Sequence, residues 1–172
     1  MGEKKDPRDG LLDELPDLED EKYSDPLAIR KKAMDYLARR EYGRRELVLK
    51  LTNAGYVSAV VEEAVGQLVK DGLQDDRRFT DAFIQSRVSQ GKGPVRIRLD
   101  LRQRGIDAGL VEEVLPEYEQ EWFELAREVR QRKFGATLPA EFKEQARQMR
   151  FLQYRGFEQS HIQSAVGGHD FD

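Results

Sequence analysis

The chain of 172 residues is 38% hydrophobic and 36% charged, with a net charge of −4 at pH 7, so we expect a modest core and a heavily charged surface. It has no cysteine, which excludes disulfides and thiolate metal ligands, and its two histidines are too few for a zinc or iron site. The sequence has no long apolar run that would predict a transmembrane helix and no hydrophobic segment typical of a signal peptide. We therefore expect a soluble, cytoplasmic protein without a metal or cofactor.

Charge is distributed unevenly along the chain. Residues 1–26 carry ten acidic and four basic side chains; removing these from the totals of 33 and 29 leaves 23 acidic and 25 basic residues in 27–172. Residues 1–25 are polar, acidic and interrupted by Pro7 and Pro16, which predicts a disordered tail. The tail either serves solubility or competes with an acidic ligand for a basic face of the body.

A first unit, residues 26–73, shows the apolar spacing of three short helices. Asp25 and Pro26 are typical of an N-cap followed by a first-turn proline, Gly55 suits the residue that ends a helix, and Ser58 is a candidate N-cap for the third helix. The helices are predicted over 26–40, 44–54 and 58–72. Their buried stripes are expected to contain Ala28, Ile29, Ala33, Tyr36 and Leu37, then Leu47, Val48 and Leu51, then Val61, Val65 and Leu68.

Two further units repeat this plan. Helices are predicted near 75–90, 94–104 and 108–118 in residues 74–118, and near 120–134, 139–155 and 159–167 in residues 119–172. Asp75 and Asp76 are expected to cap the helix that follows them, and Pro94 fits a first helical turn. That first helix is expected to bury Phe79, Ala82, Phe83 and Ser86. No stretch alternates as a strand does, so the fold class is all-α.

An internal repeat supports the three units. When the chain is aligned on Gly55, Gly105 and Gly156, several columns match. The matching residues are Leu51, Leu101 and Leu152; Tyr56, Ile106 and Phe157; Val61, Val111 and Ile162; and Val65, Leu115 and Val166. Each unit would end a helix at its glycine and return the next helix to the same small core. Tandem three-helix repeats of this kind are expected to stack into an elongated, curved body.

Five segments carry a resemblance to a known family. They read YLARREYGRREL, DGLQDDRRFTDAFIQSR, GKGPVRIRLDLRQRGI, RKFG and RQMRFLQYRGF. In this order and spacing, over residues 26–167, the chain resembles the RecX family of bacterial RecA regulators. The resemblance implies tandem three-helix repeats that form a curved, elongated protein and bind along the groove of the RecA filament on single-stranded DNA. It also implies inhibition of filament extension, ATPase activity and strand exchange. We further expect a monomer.

Basic side chains are the candidate contacts for such a filament, because the planar guanidinium fork binds carboxylate or phosphate at two points. The middle unit supplies Arg87, Lys92, Arg96, Arg98, Arg102 and Arg104; the first supplies Arg44 and Arg45; the third supplies Arg150 and Arg155, with Arg127, Arg130, Arg132, Lys133, Lys143 and Arg147 as further candidates. The Gly91–Gly93 turn could hold a phosphate, although a simple turn is favoured. Phe79, Phe83 and Trp122 are typical of a core rather than of base stacking.

The residues alone leave two other functions open. One is a helical-repeat adaptor that binds a protein partner without DNA, and the other is a direct DNA-binding helical module. An enzyme is the least favoured, because no nucleophile, acid–base or metal-ligand constellation stands out in the sequence. No membrane partner is expected.

Overall fold

The computed structural model describes residues 18–167. Most of the predicted disordered tail, residues 1–17, lies outside the described residues. The end of the acidic segment forms one helical turn, Leu18–Glu21, and a 3-10 turn, Lys22–Ser24.

Nine helices follow these turns, and residues 18–167 contain no strand, which confirms the all-α prediction. They are α1 (Pro26–Arg39), α2 (Arg44–Asn53), α3 (Ser58–Lys70), α4 (Asp76–Ser89), α5 (Pro94–Gln103), α6 (Ala108–Val114), α7 (Glu119–Phe134), α8 (Phe142–Tyr154) and α9 (Gln159–Val166). A 3-10 turn, Leu115–Tyr118, joins α6 to α7.

The described chain forms two compact units. The first comprises residues 18–40 and 47–74, and the second comprises 41–46 and 75–167. In the first unit α1, α2 and α3 bury most of the residues that their spacing predicts: Ile29, Ala33, Leu47, Leu51, Val61, Val65 and Leu68 are all 0% exposed. Ala28, Tyr36 and Leu37, which were also predicted for the stripe of α1, are only partly buried. In the second unit one continuous core runs from Phe79 to Val166 and includes Trp122, which is 1% exposed. The core assignment of Phe79, Phe83 and Trp122 is thus confirmed.

Two of the four predicted helix caps need correction. Asp25 and Asp75 cap as expected, because their carboxylates accept from the backbone N–H of Leu27 (3.0 Å) and of Arg77 (2.8 Å). The prediction that Ser58 caps α3 is wrong, because Val57 holds the N-cap position and no side chain caps this helix. The prediction that Asp76 caps α4 is also wrong. Asp76 lies inside this helix, and its carboxylate accepts from the backbone N–H of Arg44 at 2.8 Å. It therefore serves the start of α2 rather than of α4.

The buried face of α4 also differs from its prediction. Ala82 and Ser86 are exposed, whereas Thr80 and Ile84 are buried beside the two phenylalanines. The buried stripe of α4 is two residues wide, since Phe79 and Thr80 and, one turn later, Phe83 and Ile84 all face the core. The hydroxyl of Thr80 donates to the backbone carbonyl of Asp76 at 2.7 Å, so its burial leaves no unpaired polar group.

The three aligned glycines end their helices in the same way. Gly55, Gly105 and Gly156 have φ of 104°, 80° and 95°, the left-handed region that favours glycine. At each corner the residue after the glycine donates its N–H to the carbonyl of the leucine five positions earlier, at 3.2, 3.1 and 3.2 Å. This pair of features defines the Schellman ending of a helix, so the repeat in the sequence is a repeat of backbone geometry.

Gly156 also lies against the start of α5. A β-carbon added to Gly156 would stand 2.6 Å from Cβ of Arg96 and 2.9 Å from its backbone nitrogen. The backbone N–H groups of Gly93 and Val95 donate to the carbonyls of Arg155 (2.8 Å) and Gly156 (2.9 Å). The corner of the third repeat is therefore bound directly by the backbone of the second.

Replacing Gly156 with alanine tests this close approach. We expect Gly156→Ala to lower the free energy of unfolding by roughly 1–3 kcal/mol, because an alanine at positive φ is strained. A further loss of stability is expected because the added methyl group must displace the start of α5. Gly72→Ala is the matched control, because Gly72 ends α3 with the same hydrogen bonds at φ 73° and has no atom within 4 Å of an added β-carbon. Urea unfolding measures both losses. Equal losses would contradict a tight contact between the two repeats.

Tyr118 is expected to make the free energy of unfolding depend on pH. Its hydroxyl donates to the carboxylate of Asp81 at 2.9 Å. Burial, reinforced by this hydrogen bond, raises the pKa of Tyr118 from 10.0 to about 12. Between these values the unfolded chain has lost the proton that the folded chain keeps, so the free energy of unfolding should fall as pH rises.

We expect Tyr118→Phe to weaken this fall between pH 9 and pH 11, measured by urea unfolding at each pH. Tyr154→Phe is the control, since Tyr154 is 77% exposed. If the Tyr118 variant loses as much stability over this range as the parent chain, the tyrosine is not the source of the dependence.

Candidate nucleic-acid interface

Two arginines of the middle repeat lie on one aromatic ring. The guanidinium carbons of Arg87 and Arg104 are 4.2 and 4.9 Å from the ring centroid of Phe83, which is 6% exposed. Arg104 also forms an ion pair with the carboxylate of Glu46. The end of α4 and the residue that follows α5 therefore place two cations on a single buried ring, and the first turn of α2 supplies the carboxylate that pairs with one of them.

Further cations lie at the corner glycines. The side chain of Arg45 covers Gly105, with its Cβ and Cγ each 3.2 Å from where a β-carbon would stand, whereas the atoms over Gly156 are Cβ and the backbone N and Cα of Arg96, at 2.6, 2.9 and 3.3 Å. The guanidinium of Arg155 lies over Gly91, with Nη2 3.6 Å from the equivalent position.

We use the name basic strip for the basic residues that take part in these contacts or lie next to them in sequence. Its members are Arg45, Arg104, Arg87, Lys92, Arg155 and Arg96. All of them belong to the second unit, so their grouping follows from one continuous packed structure.

The candidate cations divide into paired and unpaired groups. Arg98 pairs with Glu112 (2.6 Å) and approaches Glu158 (3.8 Å), and Arg104 pairs with Glu46. Eight other predicted contact residues lack a carboxylate at salt-bridge distance within residues 18–167: Arg44, Arg45, Arg87, Lys92, Arg96, Arg102, Arg150 and Arg155. Arg96 and Arg102 are exposed, which makes them the most accessible unpaired charges of α5.

Two members of the basic strip have an unsatisfied donor. The Nε atoms of Arg87 and Arg155 are buried and have no hydrogen-bond partner. Nε of the buried Arg130 is in the same state, so an unpaired Nε does not by itself mark a contact with a ligand.

Arg130 does not belong to any surface, contrary to its prediction as a contact. It is 1% exposed. Its Nη atoms donate to the carbonyls of Ala136 and Thr137 and to Oε1 of Gln148, each at 3.4 Å. Its position within α7, next to the loop that follows, explains the burial: the side chain holds that loop against α8.

The other cations of the third repeat lie on or near the surface. Arg147 pairs with Glu144 at 3.1 Å, and Lys133 lies 5.7 Å from the ring centroid of Phe151. A hydrogen bond from Gln148, with Arg147 beside it, lowers the pKa of Glu144. Exposed side chains in this repeat are Arg127, Arg132, Lys133, Lys143, Arg147 and Arg150. The structure does not gather them into one cluster comparable to the basic strip.

The turn at Gly91–Gly93 is a simple turn, as the sequence favours. Gly91 has φ 74°, and the backbone N–H groups of Gly91 and Lys92 donate to the carbonyls of Val88 (2.9 Å) and Arg87 (3.0 Å). Because the N–H groups of Gly93 and Val95 already bind the third-repeat corner, the start of α5 offers no open cradle for a phosphate.

An acidic groove, which the sequence reading missed, lies between α4 and α7. It has a volume of about 400 Å³ and an apolar floor of Val88 and Leu125. Its acidic lining consists of Glu121, Glu124 and Glu128. Their spacing of three and four positions along α7 places the three carboxylates on one helical face, and this acidic face could have been predicted from the sequence.

No group of His, Asp and Glu among residues 18–167 is arranged to hold a metal ion. None of the helices in the described part of the chain is long and apolar enough to span a bilayer.

Comparisons with known proteins give a consistent match to one family. Models of the first, second and third three-helix domains of RecX match residues 30–68, 75–115 and 119–166. The chain is 45% identical over 145 residues to the regulatory protein RecX of Halorhodospira halophila, covering 84% of this chain and 90% of that one. It is 44% identical over 147 residues to the regulatory protein RecX of Pseudomonas syringae pv. tomato, covering 86% and 95%.

Solved structures agree on the fold. The crystal structure of RecX from Lactobacillus salivarius superposes with a TM-score of 0.71 at 20% identity, covering 84% of this chain and 96% of that one. A second crystal structure of a regulatory protein RecX gives a TM-score of 0.70 at 22% identity, covering 84% and 73%. With three successive family domains and relatives above 40% identity, the chain belongs to the RecX family of regulatory proteins.

Proposed function

We propose that this protein binds the RecA filament on single-stranded DNA and inhibits filament extension, ATPase activity and strand exchange. It acts by binding rather than by catalysis, as a cytoplasmic monomer that modulates recombination, DNA repair and the SOS response. The observation that carries the proposal is the basic strip, because it is a series of basic residues around the repeat corners in a member of the RecX family.

The charges of the basic strip support a nucleoprotein ligand. Most of its cations have no carboxylate partner within residues 18–167, so an incoming phosphate does not have to displace an internal ion pair. Phosphate contacts release condensed counterions and contribute affinity without regard to base sequence. A regulator that must bind along a filament at any position needs this kind of contact.

We also propose that the three repeats, residues 26–73, 74–118 and 119–172, act together, with the middle repeat as the principal contact. The matches of the three family domains to 30–68, 75–115 and 119–166 support these boundaries. The middle repeat contributes Arg87, Lys92, Arg96 and Arg104 to the basic strip, more than either neighbour.

A second candidate, a protein adaptor without DNA contact, is favoured by the acidic groove between α4 and α7. Its apolar floor and acidic lining fit a basic protein segment better than a phosphate. Salt dependence separates the candidates, since phosphate binding weakens steeply with ionic strength and an apolar groove contact does not.

The test is RecA's ATP hydrolysis on single-stranded DNA, with this protein titrated below the concentration of RecA. We expect inhibition at substoichiometric amounts. The double variant Arg96→Gln, Arg102→Gln should need about tenfold more protein for half inhibition, equivalent to roughly 1.4 kcal/mol, because it removes two exposed, unpaired cations.

The matched control is the double variant Arg98→Gln, Arg147→Gln. It changes the net charge equally but removes cations already paired with carboxylates, so it should inhibit nearly as the parent does. Circular dichroism confirms that each variant is folded. Equal inhibition by both doubles would refute the surface assignment, and no inhibition by the parent at equimolar RecA from the same source would refute the function.

A further inference from the structure

The acidic groove between α4 and α7 carries carboxylates that the described chain does not neutralise. Glu121, Glu124 and Glu128 are exposed, and none of them has a cation at salt-bridge distance within residues 18–167. Glu124 and Glu128 lie four positions apart, where like charges destabilise a helix. The stability of α7 therefore does not explain why this face is acidic.

The acidic residues next to the groove are neutralised, in contrast. Arg77 of α4 pairs with Glu117 at 2.6 Å and with Asp81 at 3.3 Å, and it approaches Glu113 at 3.9 Å. Asp81 also accepts from the hydroxyl of Tyr118, which lines the groove. Arg77 thus compensates the carboxylates beside the groove, and those that line it keep their charge.

The floor of the groove is apolar, although its rim is polar. Leu125 is 8% exposed and Val88 is half-buried, and the α4 side adds the exposed side chains of Gln85 and Ser89. An apolar centre with a polar, charged rim is the composition of a surface that binds protein. Phosphate or an anionic membrane would be repelled by the rim and would gain nothing from the floor.

The spacing of the carboxylates fits a helix as the occupant. Glu121 and Glu128 are seven positions apart, which is about 10.5 Å, or two turns, along α7. A partner helix lying along the groove presents one side chain to the floor and others, three or four positions before and after it, to the carboxylates. Lys or Arg at those positions would complete the ion pairs that the chain itself lacks.

We propose that the acidic groove is the docking site for a basic amphipathic helix of a protein partner. The helix places a large apolar side chain on Val88 and Leu125 and its Lys or Arg side chains against the three glutamates. This inference goes beyond the inhibition of RecA. It deepens the second candidate function, on which it rests for the class of partner, and it is tested without RecA.

The probe is a fluorescein-labelled synthetic peptide of leucine and lysine, arranged to form an amphipathic helix, and its binding to the full chain is measured by anisotropy. A peptide of the same composition in scrambled order has no apolar face and should bind severalfold more weakly. We expect the triple variant Glu121→Gln, Glu124→Gln, Glu128→Gln to weaken binding of the amphipathic peptide about tenfold, because three exposed ion pairs each contribute modestly.

The matched control is the triple variant Asp20→Asn, Asp35→Asn, Glu62→Gln, which removes three exposed acidic side chains from the first unit. It changes the net charge equally, so it lowers any general attraction of a basic peptide to the chain by the same amount. We expect it to bind the amphipathic peptide nearly as the parent does. Circular dichroism confirms that each variant is folded.

A further variant tests the floor without changing any charge. Val88→Thr places a hydroxyl on the apolar floor and should weaken binding of the amphipathic peptide severalfold, while binding of the scrambled peptide stays as in the parent.

The inference is overturned if the parent does not bind the amphipathic peptide at low salt, or if both triple variants bind it equally. Concentration-dependent association of the parent that the groove variant abolishes would also overturn it, because the occupant would then be a second copy. Inhibition of RecA by a parent that fails these tests leaves the filament function standing. A parent that passes them without inhibiting RecA loses the filament function and keeps the groove.

Discussion

The second unit depends on one recurring contact, in which the start of a second helix lies directly on the glycine corner of the next repeat. At Gly156 this contact includes two backbone hydrogen bonds, from Gly93 and Val95, and it leaves no room for a β-carbon on either glycine. Small helical units bury too little apolar surface to be stable alone, so such contacts are what make neighbouring repeats a single structure. These corner contacts also determine where several basic residues lie, because Arg45 and Arg104 are next to Gly105 and Arg96 and Arg155 are next to Gly156.

The sequence predicted the helices and the corners well because both follow from local physics. Helix periodicity, glycine at positive φ and a large residue to fill each corner are all visible in one repeat of about 50 residues. The cap at Ser58 and the buried position of Arg130 were not predictable in this way. Val57 is held at its position by a backbone hydrogen bond to Tyr23, and Arg130 is buried by a loop and by α8, so both depend on distant parts of the chain.

Counting basic residues likewise identified the candidates but not their roles. Arg98 and Arg96 are equivalent in a sequence count, yet Arg98 is held by Glu112 while Arg96 covers a glycine and keeps its charge unpaired. Pairing depends on which acidic residue a neighbouring helix presents, and that is tertiary information. The acidic groove between α4 and α7 was missed for the same reason, since its apolar floor combines residues from two helices that are far apart in sequence.

The position twelve residues before each corner shows what the repeat spacing does not decide. It holds Gly43, Gly93 and Glu144. An added β-carbon on Gly43 would stand 3.2 Å from Cδ1 of Ile106, a side-chain atom that can shift, whereas one on Gly93 would stand 2.6 Å from the backbone nitrogen of Phe157. Glu144 lies inside α8, where its carboxylate accepts from Arg147 and Gln148 of the same helix. Of the two glycines, Gly93 alone lies against another backbone, so the packing of neighbouring repeats, and not the repeat spacing, determines where a β-carbon has no room.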